Sequence, residues 1–206
     1  GVVPLSASQD SPGPMARSVA DTALLLDALT GLDTRSALLD DAPVRIGVVR
    51  AWLSEHDETT AVFERAIARL AAAGIQVVDM DVPAIPDSVH SDEGVVLVSE
   101  LVEDLDAYLA QRAGDGVRSL AEVVAFNDQH AEYELAHFGH EYLLEALASG
   151  GRGDAYRAAR ARNIEWAVNQ VLGPALHDVD VLVGCLYGPA WPITLGAGDD
   201  FHGATW

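Results

Sequence analysis

The sequence predicts an α/β protein, and three observations carry that prediction. Two apolar runs of strand length, Val44 to Val49 and Ile75 to Val82, flank a segment, Thr59 to Ala73, whose apolar residues recur at helical spacing. Strand, helix, strand in that order is a βαβ unit, for which parallel pairing and a right-handed crossover are expected. A third run, Val179 to Cys185, follows a long helical stretch and reads as another buried parallel strand. Runs apolar on both faces need helices on both sides of the sheet.

Taken in chain order, residues 1–14 are a loop, because Pro4, Pro12, Gly13 and Pro14 deny regular structure. Ser18 with Asp21 three residues on is a capping signal, and the apolar stretch after it ends at Gly31, so 1–31 is a loop and helix. That helix is apolar nearly all round and is expected to be buried. The βαβ unit occupies 44–82. From Asp92 to His177 the pattern is helical, with Gly-rich breaks near Ala113 to Gly116 and Ser149 to Gly153, so three or four helices are predicted over 92–177. The late strand and a Gly-rich loop fill 179–206. Leu24, Leu25, Val48, Val78 and Val183 are predicted to be nearly inaccessible, and Glu55, Asp57 and Asp115 to be wet. Three such strands would leave buried-type edges uncovered, so the chain reads as a single domain, 1–206, incomplete at both ends.

Composition bounds the function. With 206 residues, 50% hydrophobic and 21% charged, the chain is long and apolar enough for one globular core rather than a disordered polymer. Thirty-two acidic residues against twelve basic ones give a formal charge of −20, which repels nucleic acid and anionic membrane surfaces and favours solubility. All twelve basic residues are Arg, so chemistry that needs a lysine amine cannot be completed by these residues. One cysteine, Cys185, cannot form an internal disulfide, so the fold is independent of an oxidising compartment and localisation stays open. No apolar run approaches the ~20 residues that span a bilayer. The first residues, Gly-Val-Val-Pro, carry neither an initiator Met nor a leader pattern and read as an interior cut.

A self-contained catalytic constellation is not legible. Ser6, Ser8 and Ser11 stand near Asp10, but nothing fixes one of the seven histidines against them, and no G-x-S-x-G elbow occurs. Among metal candidates the best is His130, His137 and His140 with Glu134 and Glu141, in which Glu134, His137 and Glu141 recur at helical intervals; the H-E-x-x-H order is missing, and a solvated polar helix face explains the cluster. No metal is predicted. Cys185, inside an apolar strand, reads as a small core residue rather than a nucleophile. Asp10, in its Pro-bounded loop, and Arg17, just before a capped helix, read as a structural acceptor and clamp. Because open α/β sheets bind ligands beyond the carboxyl ends of their strands, Leu186, Tyr187, Gly188 and Trp191 stand where a substrate pocket is expected, although Tyr187 and Trp191 would serve equally to cover the sheet end.

The opening segment is far more specific. Gly1-Val-Val-Pro4, Ser6, Asp10-Ser11, Gly13-Pro14-Met15-Ala16-Arg17-Ser18-Val19 and Asp21 resemble the run G-[VI]-[VI]-P-x-S-x-x-x-D-[ST]-x-G-P-[MIL]-[AT]-R-[ST]-V-x-D of the amidase signature family at every position. Ala125-Phe126-Asn127, Glu134-Leu135 and Phe138-Gly139-His140-Glu141 are similar to the helical region of its bacterial amidase and peptide amidase-like branch. Asp180-Val181-Leu182-Val183 and Tyr187-Gly188-Pro189-Ala190-Trp191 resemble the late strand and pocket loop. The resemblance covers the whole chain and departs from the pattern at Cys185-Leu186, where a Pro-Thr pair is usual.

What the resemblance implies is the amidase signature fold, a large mixed β-sheet flanked by helices, and hydrolysis of linear carboxamides by a Ser–cis-Ser–Lys triad. In the family those three residues lie upstream of the position of Gly1, so no catalytic residue is expected in this chain, which on its own should be inactive. The implied substrate contacts are Leu186, Tyr187, Gly188 and Trp191, with Phe126 on a second wall. No cofactor is implied. The expected partners are a small amide substrate and the rest of the same domain, with oligomeric state unspecified. Two alternatives remain: an amidotransferase subunit of the same family, and a noncatalytic acidic binding or scaffold domain.

Overall fold

The computed structural model describes residues 2–34, 36, 43–185 and 187–198. The chain divides into two compact units, Gln9–Pro43 and the combination of Gly1–Ser8 with Val44–Trp206.

The smaller unit is built on α1 (Val19–Thr30). Ser18 has extended backbone and accepts the Asp21 N–H on its hydroxyl at 3.2 Å, while its own O–H donates to the Asp21 carboxylate at 2.8 Å. At the other end Gly31 takes the left-handed conformation, φ 74°, and returns its N–H to Asp27. Thr34 closes the corner by donating to the Asp27 carboxylate and the Ala23 carbonyl. The expected burial does not occur: only Ala23 of this helix is buried, and Leu24 is 51% exposed with Leu25 close behind. An apolar cylinder needs packing partners on every side, and the described residues supply them on one.

In the larger unit the three strands form one parallel sheet in the order β2–β1–β3, with β1 (Arg45–Val49) paired to β2 (Gln76–Met80) and β3 (Val181–Val183). The predicted βαβ unit is present, α2 (Asp57–Ala72) forming its crossover. β1 alternates between two cores. Ile46 and Val48 pack with Phe63, Ile67 and Leu70 of α2, and Val49 faces the other way onto Val82, Val171 and Trp166. At Gly47 a Cβ would sit 2.7 Å from Met80 Cγ and 2.8 Å from Leu182 Cδ2, so the central strand requires glycine where side chains of both neighbours cross it. Asp180 ties the strand starts together, accepting the Arg45 N–H at 2.7 Å and donating its own N–H to Arg45 O at 2.9 Å. Val48 is fully buried as expected, whereas Val78 and Val183 are only partly covered because β2 and β3 are the outer strands. Glu55, Asp57 and Asp115 are exposed as expected.

The helical region holds more elements than the predicted three or four: α3 (Asp87–Ala110), α4 (Leu120–Gln129), α5 (Ala131–Glu134), α6 (Glu141–Ser149), α7 (Asp154–Ile164), a π-helical segment (Glu165–Leu172) and α8 (Gly173–Asp178). Both Gly-rich breaks fall where the sequence puts them. Val98, Leu101, Leu105 and Leu109 of α3 pack with Leu120 and Ala146 into a third core. Asp92 of α3 receives both Nε and Nη2 of Arg162, at 2.7 and 2.6 Å, which fixes α7 along α3 with a two-pronged bond.

Candidate functional site

The three strands of the sheet end at one place, and a cavity of about 440 Å³ opens there. Trp52 follows β1, Ile85 follows β2, and Gly184 and Cys185 follow β3, so each strand contributes to its wall from its carboxyl end. Trp166, Ala167, Val171 and Leu172 of the π-helical segment close the opposite side. Wide turns of this kind turn side chains out of the α-helical rows and recur at functional sites. The Trp52 ring lies against Gly184, where a Cβ would come 3.0 Å from Trp52 Cε3; the missing side chain therefore makes room for the indole. Among the described residues no lining side chain is ionisable except the Cys185 thiol, which is buried and donates to the Tyr187 carbonyl at 3.5 Å. The indole N–H of Trp166 is buried without a partner among the described residues, an uncommon state for a native donor.

Of the residues singled out from the sequence, Tyr187, Gly188 and Trp191 follow β3 directly after this wall, Tyr187 being 55% exposed and Trp191 half-buried. Leu186 lies outside the described residues. Phe126 sits on α4, stacked on His130 with ring centroids 4.2 Å apart, and lines a shallower depression with Val117 and Gln129. Trp52, Ile85 and Trp166 carried no signal of their own: none belongs to a motif, and only the shared strand-end geometry unites them.

The loop serines have defined environments. Ser6 is 1% exposed and donates its hydroxyl proton to Glu100 Oε2 at 2.7 Å; the Ser8 N–H reaches the same oxygen at 2.9 Å, and the Tyr156 hydroxyl donates to Oε1 at 2.6 Å. Beside it the Ala7 N–H binds Asp104 at 2.9 Å, and Arg152 spans Asp104 and Glu103 at 2.6 and 2.8 Å with its guanidinium over the Tyr156 ring. Residues 6–8 are thus stitched onto α3, with α7 joined through Glu100 and the residues just before it through Asp104. Burial pushes the Glu100 carboxyl up, but the bonds from Tyr156, Ser8 and Ser6 outweigh it and hold the group down at about 2. The Tyr156 phenol is raised in turn by its bond to Glu100. Although Ser6 and Glu100 resemble a nucleophile beside a base, a carboxylate of so low a pKa takes up protons poorly near neutrality, and the serine is closed to substrate. In this structure the pair ties residues 6–8 to α3.

The histidine cluster is not one helix face. His130 ends α4, Glu134 belongs to the single turn of α5, His137 lies in the break that follows, and His140 precedes α6. The helical interval drawn through Glu134, His137 and Glu141 is interrupted by this break. His140 instead faces Asp128 at 3.5 Å and Asn127 at 3.4 Å. Among the described residues no three His, Cys, Asp or Glu side chains are grouped to hold a metal ion, and no helix is long and apolar enough to cross a membrane.

A parallel sheet flanked by helices, with a cavity at the carboxyl ends of its strands, defines the class as an α/β protein of the open-sheet type. The chain belongs to the amidase family, whose Amidase model matches residues 1–196. It is 34% identical to a peptide amidase solved in complex with the competitive inhibitor chymostatin, superposing with a TM-score of 0.85 over 99% of this chain and 46% of that one. A protein named probable amidase in Arabidopsis thaliana is 32% identical over 195 residues, 83% of this chain and 37% of its own length. A glutamyl-tRNA(Gln) amidotransferase subunit of Mycobacterium avium is 31% identical over 224 residues, 94% of this chain and 43% of its own. The chain thus spans less than half the length of these relatives.

Proposed function

We propose that these residues form the pocket-bearing part of a hydrolase that cleaves the C–N bond of linear carboxamides, with a Ser–cis-Ser–Lys triad contributed by residues outside the 206. The observation that carries the division of labour is compositional: the chain has no lysine, and its buried loop serine, Ser6, is committed to Glu100. In the proposed reaction the nucleophilic serine loses its proton through the second serine to the neutral lysine amine and forms a C–O bond to the amide carbon. The C–N bond then breaks as the nitrogen takes up a proton, ammonia or an amine leaves, and water hydrolyses the acyl-enzyme. The role assigned to Leu186, Tyr187, Gly188 and Trp191, with Phe126 on a second wall, is to bound the substrate and orient its carbonyl. Joining the amidase sequence upstream of Gly1 should yield hydrolysis of small carboxamides, read as ammonia release, while the 206 residues alone yield none. In the joined protein, Tyr187→Ala or Trp191→Ala should change the ratio of kcat/KM between substrates more than it lowers the melting temperature. A joined, folded protein without hydrolysis would refute the proposal.

The relationship to glutamyl-tRNA(Gln) amidotransferases gives a second reading, in which the amide nitrogen is passed on within a larger assembly. Glutamine hydrolysis that depends on added partner proteins, with no turnover of simple carboxamides, would favour it.

A further inference from the structure

We propose that the strand-end cavity is a subsite for a bulky, uncharged apolar group of the amide substrate, the size of a benzyl or branched aliphatic side chain. The inference rests on the amidase reading and gives it a substrate class. Four observations converge. The cavity stands at the carboxyl ends of all three parallel strands, where open α/β sheets receive ligands. Its volume of about 440 Å³ lies within the range of pockets that enclose small organic molecules, roughly 300–1,000 Å³. Two indoles, Trp52 and Trp166, face it together with Ile85, Val171 and Leu172, surfaces suited to a flat ring or a branched chain. Finally, the chain carries a formal charge of −20, yet among the described residues no carboxylate or guanidinium lines the cavity, so a charged substrate group would be desolvated there without a partner from them. The polarity of the wall therefore selects against the cations that the acidic protein would otherwise attract.

Cys185, the single cysteine, lies in the wall and reports on occupancy. The test follows alkylation of Cys185 by N-ethylmaleimide, an uncharged reagent, read at the Cys185 peptide in the joined protein with its upstream nucleophilic serine replaced by alanine so that no amide turns over, titrated with N-acetylphenylalaninamide, N-acetylglycinamide and N-acetyllysinamide. Burial of a ring of this size predicts that the phenylalanine amide protects at roughly tenfold to hundredfold lower concentration than the glycine amide. The lysine amide should protect no better than glycine. Ala167→Trp fills the cavity and should abolish the difference. Should that variant fail to fold, Leu172→Glu, at a half-exposed wall position, places a carboxylate in the wall and should weaken protection by the phenylalanine amide at least tenfold at an unchanged melting temperature. Equal protection by all three amides, protection by none, or full selectivity in the folded Leu172→Glu protein would overturn the proposal. So would closure of Cys185 by the joined upstream segment with no further effect of any amide, because the cavity would then be a packing surface for the rest of the domain. Failure of the joined protein to hydrolyse amides, with selective protection intact, would instead remove the amidase reading and leave the apolar site.

Discussion

Replacing Glu100 by Gln should cost the larger unit about 3 kcal/mol at neutral pH and loosen residues 6–8 from the body. Glu100 is 1% exposed, and as a carboxylate it accepts from Tyr156, Ser6 and the Ser8 backbone at 2.6, 2.7 and 2.9 Å. Those bonds take its carboxyl from 4.5 to about 2, and with about 1.4 kcal/mol per pKa unit the ionised form is favoured in the folded protein by about 3 kcal/mol. A depressed folded pKa contributes stability that is present above 4.5 and lost as pH falls from there towards 2. Glu100→Gln keeps the shape but offers donors of its own where three donors already point. For a chain near 200 residues the loss corresponds to a drop in melting temperature of about 6–12 °C. Thermal melts of both proteins at pH 7, 5 and 3, with amide exchange read at Ala7 and Ser8, test this. The gap should be widest at pH 7 and narrow at pH 3, and the Ala7 and Ser8 amides should exchange faster in the variant. A gap below about 2 °C at pH 7, or one unchanged down to pH 3, would refute the reasoning.

Gly47→Ala should destabilise the sheet by about 1–3 kcal/mol in urea unfolding, since the new methyl meets Met80, Leu182 and Val179 at under 3 Å. Ser18→Ala removes the hydroxyl that caps α1 and should cost about 1 kcal/mol of local stability, visible as faster exchange of the Asp21 amide. Tyr156→Phe deletes one charge-assisted bond to Glu100 and should lower stability by about 1.5–3 kcal/mol at pH 7, non-additively with Glu100→Gln because both act on the same carboxylate.

The strands and their order along the chain were legible because each is a short apolar run bounded by turn or cap residues, as with Val44 to Val49 and Ile75 to Val82. The helical subdivision between His130 and His140 was not: the polar spacing there continues through a break that carries a single glycine, Gly139. For α1, composition argued burial, but burial is a property of neighbours, and Leu24 has few among the described residues. The π-helical segment has no periodicity that separates it from an α-helix, so Trp166 and Val171 could not be aimed at a cavity in advance. Ser6 and Glu100 lie 94 positions apart, beyond any local pattern. Glu100 did carry a faint signal, as a lone acid within the apolar run Val95 to Val102, where a charge is retained only if something pairs with it.

The proposed division of labour puts the nucleophile outside these residues and the pocket within them. It is tested most directly by trapping the acyl-enzyme of the joined protein with a slowly turning-over activated carboxamide and locating the adduct by peptide mass spectrometry. A single acylated serine upstream of Gly1, with Ser6, Ser8 and Ser11 unmodified, is expected. Acylation of any of those three, or turnover by the 206-residue chain alone that Ser6→Ala abolishes, would contradict it.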